Sequence, residues 1–213
     1  ISTNTSGIPL SQMEEMLPEK VKERFIGTHF FNPPRYLRLV EIIRSPSTSD
    51  ETVKTITHCL ENQLNKVAVP ALDVPCFIAN RIGVYAMMST LKLTKELGLS
   101  IEEVDSLTGS LMGRPKTGTY RLADLVGLDT LGHIIQNLYE TLPEGEKEAF
   151  ATPKELQSLL DKGFTGKKVG GGFYKKDGKE IHVWSMEKED YQPQQKPRFE
   201  ELKEVKTSPT LKR

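Results

Sequence analysis

The sequence predicts an α/β segment over residues 1–71, a helical domain over 72–184, and a polar linker or tail over 185–213. Three observations carry this. Strand-like runs and one helical period alternate as far as Leu72. After Asp73-Val74-Pro75 the strand signals nearly vanish and helical spacing takes over. From about residue 185 the chain is charged, rich in Gln, Pro and Lys, and without period.

The elements follow in order. Ile1 to Gly7 is a β-branched, Thr-rich stretch broken by Gly7 and Pro9, suited to a strand end and the loop leaving it. Arg24–Phe31 and Leu37–Ile43 read as two strands. The turn between them is Asn32-Pro33-Pro34-Arg35-Tyr36, where consecutive prolines supply no amide donors. Ser49 caps a helix with Asp50 and Glu51 in its first turn and Val53, Ile56, Leu60 and Leu64 along one face. Lys66–Leu72 is a further strand. Cys76–Leu97 then reads as one long helix, apolar on most sides and so expected to be largely buried, with Gly98 ending it. Ser100 and Glu103 form a capping box for the next helix. Leu122–Val126, Thr130–Leu142 and Pro153–Lys162 complete the helical cluster. Gly172–Lys175 and Ile181–Val183 form a hairpin about Asp177-Gly178.

Composition excludes several classes of function. Lys and Arg number 29, as do Asp and Glu, so no net charge draws polyanions: neither nucleic acid nor an anionic membrane surface is an expected partner. No apolar run approaches the ~18 residues of a membrane span. The two cysteines, Cys59 and Cys76, form no Cys-x-x-Cys pair, which fits reduced thiols in a cytoplasmic setting. His58, His133 and His182 lack metal-ligand spacing, so no metal is expected. The chain opens on Ile1 without a charged-then-apolar leader and reads as truncated.

His29 and Glu41 are the sharpest candidate pair. A neutral imidazole can take a proton from an alcohol, and a carboxylate on its far nitrogen fixes the tautomer and stabilises the cation that forms. Across a β-β unit the two can meet if the strands are adjacent; the plain alternative is a strand-end His and a solvated Glu. Asn4, Thr5 and Ser6 at a strand end offer an amide and two hydroxyls to a ligand, or else simply make a turn. Asn32 precedes the prolines and is equally a turn residue. Asn80, one turn into an apolar helix, needs a partner, either a core group or a substrate oxygen. Gly170-Gly171-Gly172 precedes a strand rather than a helix and is rejected as a phosphate loop. Arg114-Pro115-Lys116 is a basic loop.

His29-Phe30-Phe31-Asn32-Pro33-Pro34, followed by Leu39-Val40-Glu41 and preceded by Ser2-Thr3-Asn4-Thr5-Ser6, resembles the 3-hydroxyacyl-CoA dehydrogenase family. The likeness continues through Phe77-Ile78-Ala79-Asn80-Arg81, Gly113-Arg114-Pro115, Asp124-Leu125-Val126-Gly127-Leu128-Asp129-Thr130 and Gly172-Phe173-Tyr174. It implies the C-terminal part of a Rossmann NAD-binding domain followed by an all-α dehydrogenase C-terminal domain. The implied activity is NAD-dependent oxidation of L-3-hydroxyacyl-CoA to 3-oxoacyl-CoA in fatty-acid β-oxidation. By the resemblance His29 and Glu41 are the catalytic dyad, Ser6 and Asn80 bind substrate oxygens, and Asn4 and Asn32 line the NAD site. The substrate partner is an acyl-CoA thioester. Asn-Pro-Pro-Arg-Tyr and residues 108–119 look like the bacterial long-chain, multifunctional branch, in which a hydratase/isomerase module follows the dehydrogenase; a homodimer is the other expected partner. Two departures stand out. Pro75-Cys76-Phe77 replaces the family's usual Pro-Gly-Phe. The family's glycine-rich dinucleotide fingerprint would lie upstream of Ile1, so the 213 residues alone are expected to bind NAD poorly and turn over slowly or not at all. The competing reading is a non-catalytic dimerisation or structural protein built on the helical domain.

Overall fold

A computed structural model describes residues 1–199, and the end of the polar tail lies outside them. The chain divides into two compact units. One comprises Ile1–Ala86 with Ile134–Ala151; the other comprises Met87–His133 with the chain from Thr152 onward. The helices Ala79–Glu96 and Leu128–Thr141 each cross one of the chain boundaries between the units, and each unit is described by itself.

The first unit is built on a four-stranded mixed sheet in the order β1-β2-β3-β4. Its strands are β1 (Ser2–Thr3), β2 (Ile26–Phe30), β3 (Leu39–Arg44) and β4 (Val67–Ala71), with helices α1 (Leu10–Glu15), α2 (Glu19–Lys22) and α3 (Asp50–His58) between them. β1 is parallel to β2 and β3 to β4, while β2 and β3 are antiparallel. The expected strand pair and its loop are therefore present. Ser49 caps α3 as its sequence indicates, its Oγ accepting the Thr52 amide at 3.2 Å. A π-helical turn, Cys59–Gln63, continues the helix.

Alternation along the strands sorts the core into two layers. Ile26, Val40 and Ile42 pack with Leu60, Val53 and Ile56 on one side. Ile43 packs with Leu10, Phe25 and Phe77 in a second cluster. Gly27 makes the second layer possible: a Cβ there would lie 2.9 Å from Ile43 Cβ and 3.0 Å from Leu10 Cδ2. Helices α1 and α2 occupy residues for which the sequence offered no element. Each is short, and each begins after a proline with no side-chain cap from its own N-cap residue.

Next come α4 (Ala79–Glu96), α5 (Ile101–Thr108), α6 (Tyr120–Val126), α7 (Leu128–Thr141), α8 (Glu144–Lys147) and α9 (Lys154–Asp161). The capping box at Ser100 and Glu103 is formed. Helix α4 corrects the expectation in two ways. It starts at Ala79 rather than Cys76, and it is not largely buried: Ile82 is 64% and Tyr85 53% exposed. An apolar composition was read there as burial, although exposed apolar side chains are common on folded surfaces.

The second unit ends in a three-stranded antiparallel sheet, β5 (Tyr174–Asp177), β6 (Glu180–Ser185) and β7 (Asp190–Pro193). The hairpin was expected; β7 was not, and it corrects the reading of residue 185 onward as tail. The helical domain thus carries one small sheet beside its helices. Buried Asp124 joins the sheet to α6 by accepting the Phe173 and Tyr174 amides, both at 2.8 Å. The glycine run serves this contact, since a Cβ on Gly172 would lie 2.1 Å from Asp124 Oδ1. Asp105 accepts the Tyr120 and Arg121 amides and the Tyr174 hydroxyl, closing a second buried clamp.

Candidate active site

His29 stands directly opposite Glu41 across the antiparallel pair β2/β3. Directly opposed residues project from the same face of a sheet with their Cβ atoms about 5 Å apart. Here His29 Nδ1 lies 2.7 Å from Glu41 Oε2, with the residues 7% and 1% exposed. The other carboxylate oxygen, Oε1, accepts the backbone N–H groups of Ile78 at 3.0 Å and Ala79 at 2.8 Å, where α4 begins. Glu41 is thus an acceptor on both oxygens. Nδ1–H donates to it, which leaves the lone pair on Nε2. The imidazole also packs edge-on against Phe31 and Phe77, with ring centroids 4.6 and 5.4 Å away.

The start of α4 is set by an unusual bend. Cys76 and Phe77 have φ of 61° and 51°, in the left-handed region that glycine enters freely and other residues seldom do. Two such residues cannot continue a right-handed helix, which is why Cys76 does not belong to α4. They swing the Phe77 ring onto His29 and present the next two amides to Glu41. Burial pushes the Cys76 thiol up to about 11, so it stays protonated near neutrality and is no nucleophile.

Ser6 and Asn80 are also brought together, Asn80 Nδ2 donating to Ser6 Oγ at 3.3 Å. Asn4 Oδ1 accepts the Phe30 amide at 2.8 Å, pinning the loop after β1 to the end of β2, and its Nδ2 donors meet no acceptor among the described residues. Asn32 is exposed in the loop after β2 and makes no side-chain hydrogen bond among the described residues. A cavity of about 40 Å³, room for about one water, lies beside Ser6, Asp73, Pro75 and Phe77. No cluster suited to a metal ion occurs among the described residues.

Sequence reasoning missed the two amides that hold Glu41, the aromatic rings against His29, and Asp73. The Pro75-Cys76-Phe77 variant marked the right place. Its backbone conformation, which does the positioning, has no signature in residue types alone.

Residues 1–74 match the model of the 3-hydroxyacyl-CoA dehydrogenase NAD binding domain, and residues 77–176 match that of the 3-hydroxyacyl-CoA dehydrogenase C-terminal domain. The chain belongs to the 3-hydroxyacyl-CoA dehydrogenase family. Within that family it is 47% identical over 182 residues to a probable 3-hydroxyacyl-CoA dehydrogenase of Bacillus subtilis, covering 85% of this chain and 23% of that protein. It is 32% identical to a putative fatty acid oxidation complex trifunctional enzyme of Rickettsia prowazekii, over 99% of this chain and 30% of that one. A crystal structure of FadB2 from M. tuberculosis matches with a TM-score of 0.74 at 31% identity, covering 83% of this chain and 60% of the other. This dehydrogenase-family chain therefore spans under a third of the length of the two curated relatives and 60% of the FadB2 chain.

Proposed function

We propose that the protein oxidises L-3-hydroxyacyl-CoA to 3-oxoacyl-CoA with NAD, His29 acting as general base and Glu41 as its partner. The observation that carries this reading is the buried 2.7 Å contact between His29 Nδ1 and Glu41 Oε2. With Nδ1–H held by a carboxylate, Nε2 accepts the proton of the substrate 3-hydroxyl as the C3–O bond becomes a carbonyl. The imidazolium that forms is stabilised by Glu41 without moving any heavy atom, because the carboxylate is already fixed by two backbone amides. Ser6 and Asn80, already in contact, orient the substrate oxygens.

The residues present fit the nicotinamide end of the cofactor. The Asn4 amide donors, unspent among the described residues, suit a carboxamide oxygen, and Asn32 lies in the exposed loop at the end of β2. Bound NAD supplies the acceptor for the hydride that leaves carbon 3. No G-x-G-x-x-G occurs among the 213 residues.

The change of domain is proposed between residues 71 and 72, with β6 and β7 carrying the second part past residue 184 to Pro193. The name of the trifunctional Rickettsia relative supports a role in fatty-acid oxidation. It also supports the multifunctional branch, for which a fused hydratase/isomerase module is proposed. No helix among the described residues is long and apolar enough to cross a membrane, and a cytoplasmic location is part of the same proposal.

The test compares a thioester with its free acid. In the polypeptide as its gene encodes it, 3-hydroxybutyryl-CoA should give an NADH rate about a hundredfold or more above that of free 3-hydroxybutyrate, because binding energy from the CoA portion aids the reacting end. Equal rates would contradict an acyl-CoA substrate.

A further inference from the structure

We propose that Asp73 is a positioning residue that holds Ser6 in register with Asn80 for the substrate oxygen, an inference that rests on the substrate role given above to Ser6. Asp73 follows β4, and its two carboxylate oxygens divide between two successive amides 62 and 63 residues away. Oδ1 accepts from Leu10 at 2.8 Å and Oδ2 from Ser11 at 2.9 Å. These are the first two amides of α1, which its own helix cannot satisfy and which Pro9 leaves uncapped. Asp73 supplies the missing cap from a distant part of the chain.

The consequence is a loop fixed at both ends and in the middle. Asn4 ties its start to Phe30, Ser6 meets Asn80, and Asp73 ties down Leu10 and Ser11. Between these points Gly7, Ile8 and Pro9 are exposed, and a Cβ on Gly7 would touch nothing within 4 Å. Packing alone does not hold that stretch. Asp73 also stands four residues before Phe77, whose ring lies against His29, and Leu10 shares a buried cluster with Phe77. Asp73 touches none of the proposed reacting groups. It acts by placing the Ser6 loop relative to the segment that carries Phe77 and Asn80.

The experiment is a double-mutant cycle on the polypeptide as its gene encodes it, with kcat and KM for 3-hydroxybutyryl-CoA measured for Ser6→Ala, Asp73→Asn and the pair. Amide hydrogen exchange is followed in parallel. Asp73→Asn should lower kcat/KM about tenfold, and the pair should be within about twofold of Ser6→Ala alone, since both changes remove one positioning effect. Exchange should quicken over residues 4–11 and stay slow in β2 and β3. Ser11→Pro deletes one of the two donor amides where a first helical turn tolerates proline, and should reproduce these effects if Asp73→Asn does not fold. Multiplying losses in the pair, or an Asp73→Asn enzyme with wild-type kcat/KM, would overturn the proposal. Should Ser6→Ala alone keep the wild-type rate, the substrate role of Ser6 fails separately. The exchange pattern then decides: faster exchange confined to residues 4–11 upholds the clamp, and unchanged exchange refutes it.

Discussion

His29 is held by groups that are themselves held. Glu41 accepts its Nδ1–H, and Glu41 is in turn fixed by the Ile78 and Ala79 amides. Cys76 is the residue where this arrangement conflicts with local preference, because a non-glycine side chain at φ 61° meets the backbone. Cys76→Gly should therefore be more stable than Cys76→Ala by about 1 kcal/mol, reversing the usual advantage of alanine, as read from urea unfolding midpoints. An alanine variant at least as stable as the glycine one would show that the left-handed turn is not populated. The pair His29 and Glu41 was legible as chemistry in the sequence, and its contact was not. Contact depends on the register of β2 against β3, which their common turn leaves open.

At the scale of elements, the clamp at Asp124 makes a pH-dependent contribution. Burial pushes its carboxyl up to about 6, against the opposing effect of the Phe173 and Tyr174 amides; Asp105 pushes it up further and Arg121 pulls it down. The unfolded value is near 3.9. Between these values the folded protein binds more protons than the unfolded one. Asp124 therefore stabilises the fold most below pH ~4, and that contribution is lost as pH rises through ~6, by about 2–3 kcal/mol in all. The difference in unfolding free energy between wild type and Asp124→Asn should fall across this window and level off above it. A difference independent of pH would contradict the buried, protonatable carboxyl. Element reading from sequence succeeded where a local signal exists, as at the Ser49 cap and the Ser100 capping box. It offered nothing at α1, whose cap is Asp73 from another part of the chain. It failed at β7, a short polar strand whose pairing with β6 leaves no hydrophobic alternation.

For the whole molecule, the sequence conveyed the order of an α/β segment and a mainly helical one, since a change of period near Asp73 is a property of residue spacing. The division into compact units was not legible: one unit takes in residues 134–151, so helices α4 and α7 each contribute to both. Long-range packing of this kind is invisible to periodicity. Assigning the dehydrogenation to this chain comes down to one ring nitrogen. The decisive measurement is single-turnover NADH formation from 3-hydroxybutyryl-CoA by the wild-type polypeptide and by His29→Ala. We expect the variant to be slower by about 10²- to 10⁴-fold with NAD affinity within about twofold, since no side chain of the proposed cofactor site is altered. A His29→Ala enzyme that keeps the wild-type rate would remove the general base from the mechanism.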